Sequence, residues 1–278
     1  MIAHWIILVV ATRYSVNGEC NECAVPTLVY EDLKCVPKFS DLNTCCPIEY
    51  DCSHIYNQPK GTCQVKGKYY KPGDRPSKED VGSDCSHASC TCGDKGLFDC
   101  IIPSDSCAEF WVPGFIKPGC YLAYEHNRCC HVEQKCPPFN DDNAKCKVGD
   151  NTYREGERFR HPTKKCTNCI CDKNFNGKFD APQCQRFNCT SETVHSKKLH
   201  KYCAPTYVNP DDCCPRSWLC PSDDGEYIPS STSPVSSTPQ CTFGDRLMYV
   251  GEKYRHGTTI CECVIPPYLS CKPNLGGG

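Results

Sequence analysis

No stretch of this chain places apolar residues at helical period. What recurs instead is a short strand pattern bounded by turn residues. After Cys63 come Gly67, Tyr70, Gly73 and Asp74; after Cys146 come Gly149, Tyr153, Gly156 and Glu157; after Cys241 come Gly244, Tyr249, Gly251 and Glu252. Glycine supplies the positive φ that tight turns need, and tyrosine between two turns suits a short strand. The pattern predicts short antiparallel hairpins, a turn roughly every 8–12 residues, and much irregular chain.

A second periodicity lies in the cysteines. Adjacent pairs, each followed by a third cysteine, stand at Cys45-Cys46 with Cys52, Cys129-Cys130 with Cys136, and Cys213-Cys214 with Cys220. The pairs begin at 45, 129 and 213, a fixed period that marks tandem modules. One ten-cysteine unit, 63–136, holds Cys63, Cys85, Cys90, Cys92, Cys100, Cys107, Cys120, Cys129, Cys130 and Cys136. A second, 146–220, holds Cys146, Cys166, Cys169, Cys171, Cys184, Cys189, Cys203, Cys213, Cys214 and Cys220. A six-cysteine piece, 19–52, precedes them, and a four-cysteine piece, 241–271, follows.

Composition shows why the repeat is built from sulfur. Leu, Ile, Val and Phe together make up less than a fifth of the chain, too little for a core of ordinary size. Cysteine is 30 of 278 residues, an even count at the density of a disulfide scaffold. The expected fold class is therefore small, disulfide-rich and mostly β, in tandem modules of short antiparallel hairpins and irregular loops. Bridges persist in an oxidising compartment. The apolar run from Trp5 to Ala11 agrees, reading as part of a signal peptide over 1–18; it is too short to cross a bilayer. No other run is long enough, so no membrane span is expected, and the product should be secreted and extracellular. A net charge of −2 gives no reason to expect nucleic acid as a partner. Residues 221–240, rich in Ser, Thr and Pro from 229 to 239, read as a spacer with the composition of an O-glycosylated stalk.

A cysteine, then Gly, Tyr and Gly-Glu at the spacing quoted, then Cys166-Thr-Asn-Cys169-Ile-Cys171, and finally Cys213-Cys214-Pro215 resemble the von Willebrand factor type C module. Residues 146–220 fit best, and 63–136 fit with a longer gap, Cys85 to Cys90-Thr-Cys92. The last gap, Cys214 to Cys220, is longer than that family's usual one. The 19–52 piece resembles only the rear of such a module and 241–271 only the front. Thr258 stands where a cysteine is expected, one that would normally bridge to a rear half. The resemblance implies a three-stranded front, a finger-like rear and function by binding. Relatives modulate growth factors of the bone-morphogenetic-protein and transforming-growth-factor-β type, or associate with matrix and collagen.

Several constellations carry two readings. Cys20-Asn-Glu-Cys23 and Cys166-Thr-Asn-Cys169 have redox or zinc spacing, but the compartment favours structural bridges. Asp172, Asn174, Asn176-Gly177 and Asp180 mimic a calcium loop, yet Gln183 stands where a bidentate Glu belongs, and Asn-Gly is a strong turn signal. Arg154, Arg158, Arg160, His161, Lys164 and Lys165 form a basic cluster that suits a sulfated glycosaminoglycan or a merely solvated face. Lys197, Lys198, His200 and Lys201 form a second cluster. Phe110, Trp111, Val112, Phe115 and Ile116 are either a rear half's miniature core or an exposed protein-binding patch. Asn188-Cys189-Thr190 is the only N-glycosylation sequon.

No catalytic motif stands out, and the residues call for no cofactor and no metal. The expected function is that of a secreted module array binding an extracellular protein, a growth factor or matrix component. A structural matrix or secretion role is the alternative. A protease inhibitor presenting Val264-Ile265-Pro266-Pro267-Tyr268 is a further one. Ligand identity and oligomeric state stay open. Secreted protein denatured without reductant is expected to show essentially no free thiol by colorimetric titration; mostly free thiol would overturn the scaffold reading.

Overall fold

The computed structural model describes residues 23–40, 45–81, 89–101, 107–110, 112–126, 128, 130–140, 142–209, 211–231 and 238–273. The leader reading for 1–18 and Cys20, Cys85 and Cys129 lie outside them. The fold is small, disulfide-rich and mostly β, built from short antiparallel hairpins.

Two kinds of stapled unit alternate. The first, here called a rear, is a hairpin closed at its base by a bridge. Its strands are Val36–Lys38 with Glu49–Asp51, Tyr121–Ala123 with Glu133–Lys135, and Ala204–Thr206 with Ser217–Leu219. The closing bridges Cys35–Cys52, Cys120–Cys136 and Cys203–Cys220 sit one residue outside those strands. A second bridge ties the loop ahead of each hairpin to its far side: Cys23–Cys46, Cys107–Cys130 and Cys189–Cys214.

The other unit, the front, opens with the glycine-turn hairpin. Cys63–Val65 pairs with Lys68–Tyr70, Lys145–Val148 with Asn151–Arg154, and Gln240–Phe243 with Arg246–Tyr249. All six glycines of the repeating pattern have positive φ, from 58° to 90°. A second set of strands follows, stapled where two cysteines face each other in register. These pairs are Cys90 with Cys100, Cys169 with Cys184 and Cys261 with Cys271. Bridges Cys63–Cys92, Cys146–Cys171 and Cys241–Cys263 then lock the first hairpin to this sheet. Cys166–Cys213 crosses from a front to the rear after it. The position equivalent to Cys166 in the last front, three residues before Cys261, is Thr258.

Non-covalent contacts join each of two rears to the front that follows. Tyr124 donates its N–H to Gly156 O at 2.8 Å, and a Cβ on Gly156 would stand 2.7 Å from that of Ala123. Strand Ala204–Thr206 lies parallel to Ser270–Pro273 inside a six-stranded sheet. That sheet also takes in Glu226–Ile228, which pairs with Lys253–His256. The spacer expected over 221–240 thus begins as an edge strand, with Tyr227 packed on Tyr254. Residues 232–237 lie outside the described region.

The largest cluster of buried side chains gathers Val29, Tyr30, Leu33, Leu199, Trp218 and Tyr268 from three pieces far apart in sequence. Tyr30 stacks on Tyr50 at 4.3 Å and donates its hydroxyl to Ile265 O at 2.6 Å. The two ends that resemble half-modules thereby pack together. The helices are single turns, such as Leu28–Asp32 and Ser196–Leu199, too short to leave a periodic signature.

Front and rear also meet at a buried carboxylate. Glu192 accepts the Lys66 N–H at 2.9 Å, and burial pushes its pKa up to about 7. Asp32, which accepts the Cys189 N–H, is raised in the same way by burial. Between pH 4.5 and about 7 the unfolded chain has released the Glu192 proton while the folded chain keeps it. Folding therefore loses up to ~3 kcal/mol as pH rises through that window. Burial acts oppositely on His195, whose pKa falls to about 4, so folding loses stability as pH falls from 6.5. The two slopes largely cancel. Glu192→Gln keeps an acceptor for Lys66 and removes only the first slope. In urea melts the variant is expected to gain on the wild type from about pH 5 to about pH 8; parallel profiles would show that Glu192 titrates as an ordinary carboxylate.

Candidate functional site

The segment between Cys107 and Cys120 is fixed at both ends, by Cys107–Cys130 and Cys120–Cys136. It starts as a single 3-10 turn, Ala108–Phe110, continued by the Val112 N–H to Ala108 O and the Phe115 N–H to Val112 O. Gly114 then turns the chain at φ 71°, with open space where a Cβ would be. The segment returns along the hairpin, where Gln134 holds it twice: its amide accepts the Lys117 N–H at 3.2 Å and donates to Phe115 O at 3.0 Å.

Its inner side is anchored by a buried acid. Glu109 takes the His131 N–H at 3.0 Å and faces His131 Nδ1 at 2.9 Å. Burial alone would raise the Glu109 pKa, but the His131 amide and ring outweigh it and hold the carboxyl below its usual value. The Phe115 ring meets the His131 ring edge-on at 5.0 Å and is half-buried. The outer side is apolar and open, with Val112 51% and Ile116 48% exposed. Of the five residues singled out from the sequence, Val112 and Ile116 form an exposed pair and Phe115 belongs to the frame. The Phe110 side chain and Trp111 lie outside the described residues.

The sister segments show what is unusual here. Between Cys23 and Cys35, residues Leu28, Val29, Tyr30 and Leu33 are buried; between Cys189 and Cys203, Leu199 is buried. Both segments press into the shared core, where the two rears touch through Asp32 and the Cys189 N–H. The middle rear carries the same staples but leaves Val112 and Ile116 exposed.

The basic residues are dispersed. Arg154 lies over the Phe139 ring at 4.0 Å, and Arg158 over Tyr124 at 3.9 Å. Arg160 and Lys164 are exposed further along, and Lys165 pairs with Asp211 at 2.7 Å. In the second group Lys197 pairs with Asp99. The calcium-like loop satisfies itself: Asp172 accepts the Asn174 N–H and the Gln183 amide, and Asn176 accepts the Lys178 N–H. It spans the gap between strands Thr167–Ile170 and Cys184–Arg186, longer than the tight hairpin that Asn176-Gly177 suggests. Cys107, Glu109 and Cys130 cluster closely, but both sulfurs share one bridge. Cys23, Cys166 and Cys169 are each bridged to distant partners. The Asn188 side chain is half-buried and accepts the Thr190 N–H at 2.8 Å. No helix among the described residues is long and apolar enough to cross a membrane.

No protein-family model matches the chain, and no solved structure matches it.

The exposed and buried sister segments should respond differently to substitution. Val112→Asp with Ile116→Asp is expected to leave the denaturation midpoint within about 0.5 kcal/mol per site of wild type. Leu33→Ala or Leu199→Ala, at fully buried positions, should cost ~2–5 kcal/mol. Urea melts of the purified variants check both; a large loss from the aspartates would make Val112 and Ile116 core residues.

Proposed function

We propose that this chain is a secreted binding protein that engages an extracellular protein through the apolar tip of the 107–120 segment. One observation carries the reading: among the described residues of three segments on the same stapled frame, the large aliphatic side chains of the outer two are buried or half-buried, whereas Val112 and Ile116 of the middle one are exposed. A rigid loop bearing aliphatic side chains loses little freedom on binding, so their burial contributes to affinity with little ordering cost. The resemblance to von Willebrand factor type C modules supplies the partner class, a dimeric growth factor of the bone-morphogenetic-protein or transforming-growth-factor-β type.

The inhibitor reading lacks its loop. Ile265, Pro266 and Tyr268 are buried, and Pro266 O accepts the Tyr50 N–H at 2.8 Å. A protease could not reach that segment without taking apart the core.

Immobilised secreted protein is expected to retain such dimeric ligands at roughly micromolar concentration, and the Val112→Asp, Ile116→Asp variant to retain at least about tenfold less, a loss of 1.4 kcal/mol or more. Retention of no ligand by the wild type would remove the growth-factor assignment. Equal retention by the variant would place the binding surface elsewhere on the chain.

A further inference from the structure

We infer that the junction of the first rear, the first front and the third rear binds one calcium ion, held by Asp32, Ser191 and Glu192. A small cavity of about 10 Å³, room for one water-sized occupant, lies where these pieces meet. Leu33, Val65 and Val81 give it an apolar wall. Asp32, from the first rear, and Ser191 and Glu192, from the third, bring oxygen to it. An apolar wall keeps the local dielectric low and strengthens any charge interaction inside.

Ser191 points to an occupant. The residue is 2% exposed, it lines the cavity, and its hydroxyl has no hydrogen-bond partner. A buried hydroxyl left without a partner is costly and rare. The two acids are also unfinished. Asp32 Oδ2 accepts the Cys189 N–H and Glu192 Oε2 accepts the Lys66 N–H at 2.9 Å. Among the described residues neither carboxylate makes an ion pair or a second hydrogen bond. The charges around them are engaged elsewhere. Arg186 pairs with Glu31, the Lys66 ammonium donates to Glu79 O, and Asp80 takes both Lys68 and Tyr70. Lys34 is exposed. Burial raises the pKa of both acids and outweighs the pull of Lys34, Lys66 and Arg186; Asp32 raises Glu192 further. Buried carboxylates in that condition call for a counter-charge or a metal.

The donor chemistry selects the ion. Two carboxylates match two positive charges, and every donor is a hard oxygen, with no free thiolate or imidazole lining the cavity. Calcium tolerates irregular sets of six to eight oxygens, completed by water, whereas magnesium demands a near-ideal octahedron. Donors drawn from separate pieces of chain suit the first. The calcium-like loop visible in sequence is a different place, and Asp172 there is already engaged by Asn174 and Gln183. An ion at the junction would tie together units that no described bridge joins.

The test uses the full secreted chain, stripped with chelator, at neutral pH and physiological salt. Calorimetric titration with calcium chloride is expected to show one site with a Kd of ~0.1–1 mM, the range of extracellular modules. Saturating calcium should raise the melting temperature. Magnesium should bind at least tenfold more weakly. Glu192→Gln and Asp32→Asn should each weaken calcium binding at least tenfold. Ser191→Ala removes a hydroxyl that has no partner, so it should melt like wild type in chelator and yet bind calcium severalfold more weakly. Asp172→Asn with Asp180→Asn, in the calcium-like loop, should have no effect. Four results would overturn the site: no binding at about 10 mM calcium, tenfold above the weakest expected Kd; magnesium bound as tightly; a folded Glu192→Gln or Ser191→Ala variant that binds as wild type does; or an equal loss from the Asp172/Asp180 control. The Val112→Asp, Ile116→Asp variant should bind calcium normally, so failure here is separable from failure of the growth-factor reading.

Discussion

The structure depends on one geometric coincidence, repeated three times: two cysteines that face each other across an antiparallel pair. Cys90 and Cys100, Cys169 and Cys184, and Cys261 and Cys271 are each both register partners and bridge partners. An isolated two-stranded hairpin is marginal in water, and this chain has too few aliphatic residues to cover many of them. A bridge across the register removes open conformations from the unfolded ensemble and typically adds about 2–4 kcal/mol. Each hairpin is thus stabilised locally and its shape is set without reference to a large core.

What the bridges do not set is how the pieces sit together. All the described bridges but Cys166–Cys213 close within a single front or rear. The larger arrangement falls to tyrosines, a few aliphatics and buried carboxylates. Tyr30, Tyr50 and Tyr268 stack so that the two end pieces meet; the Tyr30 hydroxyl donates to Ile265 O, the Tyr50 N–H donates to Pro266 O, and the Tyr268 hydroxyl meets that of Tyr56. Glu192 and Asp32 work at the same junction by accepting amides from other pieces. These interactions are weaker and respond to pH, which places the adaptable part of the molecule between the stapled units.

The local architecture was legible in the sequence because cysteine and glycine have few roles. A glycine at a repeated place before a strand demanded positive φ, and Gly73, Gly156 and Gly251 all adopt 90°. The one-turn helices were not legible, since four or five residues cannot display a period of 3.6. Nor was the strand Glu226–Ile228: three residues in a stretch poor in apolar side chains give no alternation to detect, and only Tyr227, buttressed by Tyr254 and Arg246, marks the place. The packing of the two end pieces was invisible because it relies on residues more than 200 positions apart, such as Tyr30 and Ile265. The surroundings of Arg154 were hidden for a related reason. Proximity in sequence groups Arg154 with Arg160, whereas hairpin register groups it with Lys145.

The same frame explains how one sister segment could diverge without loss of the fold. In the outer rears the segments between Cys23 and Cys35 and between Cys189 and Cys203 have a packing duty, so exchanging Leu33 or Leu199 for a polar residue leaves a buried defect. In the middle rear Cys107–Cys130, Cys120–Cys136, the Glu109–His131 pair and the two Gln134 hydrogen bonds hold the backbone. Val112 and Ile116 are therefore free of structural duty. Under that freedom a merely solvated loop would be expected to be polar, since nothing in folding rewards aliphatic groups left in water. Val112 and Ile116 remain aliphatic and exposed, and the gain from covering them is left for a partner to realise.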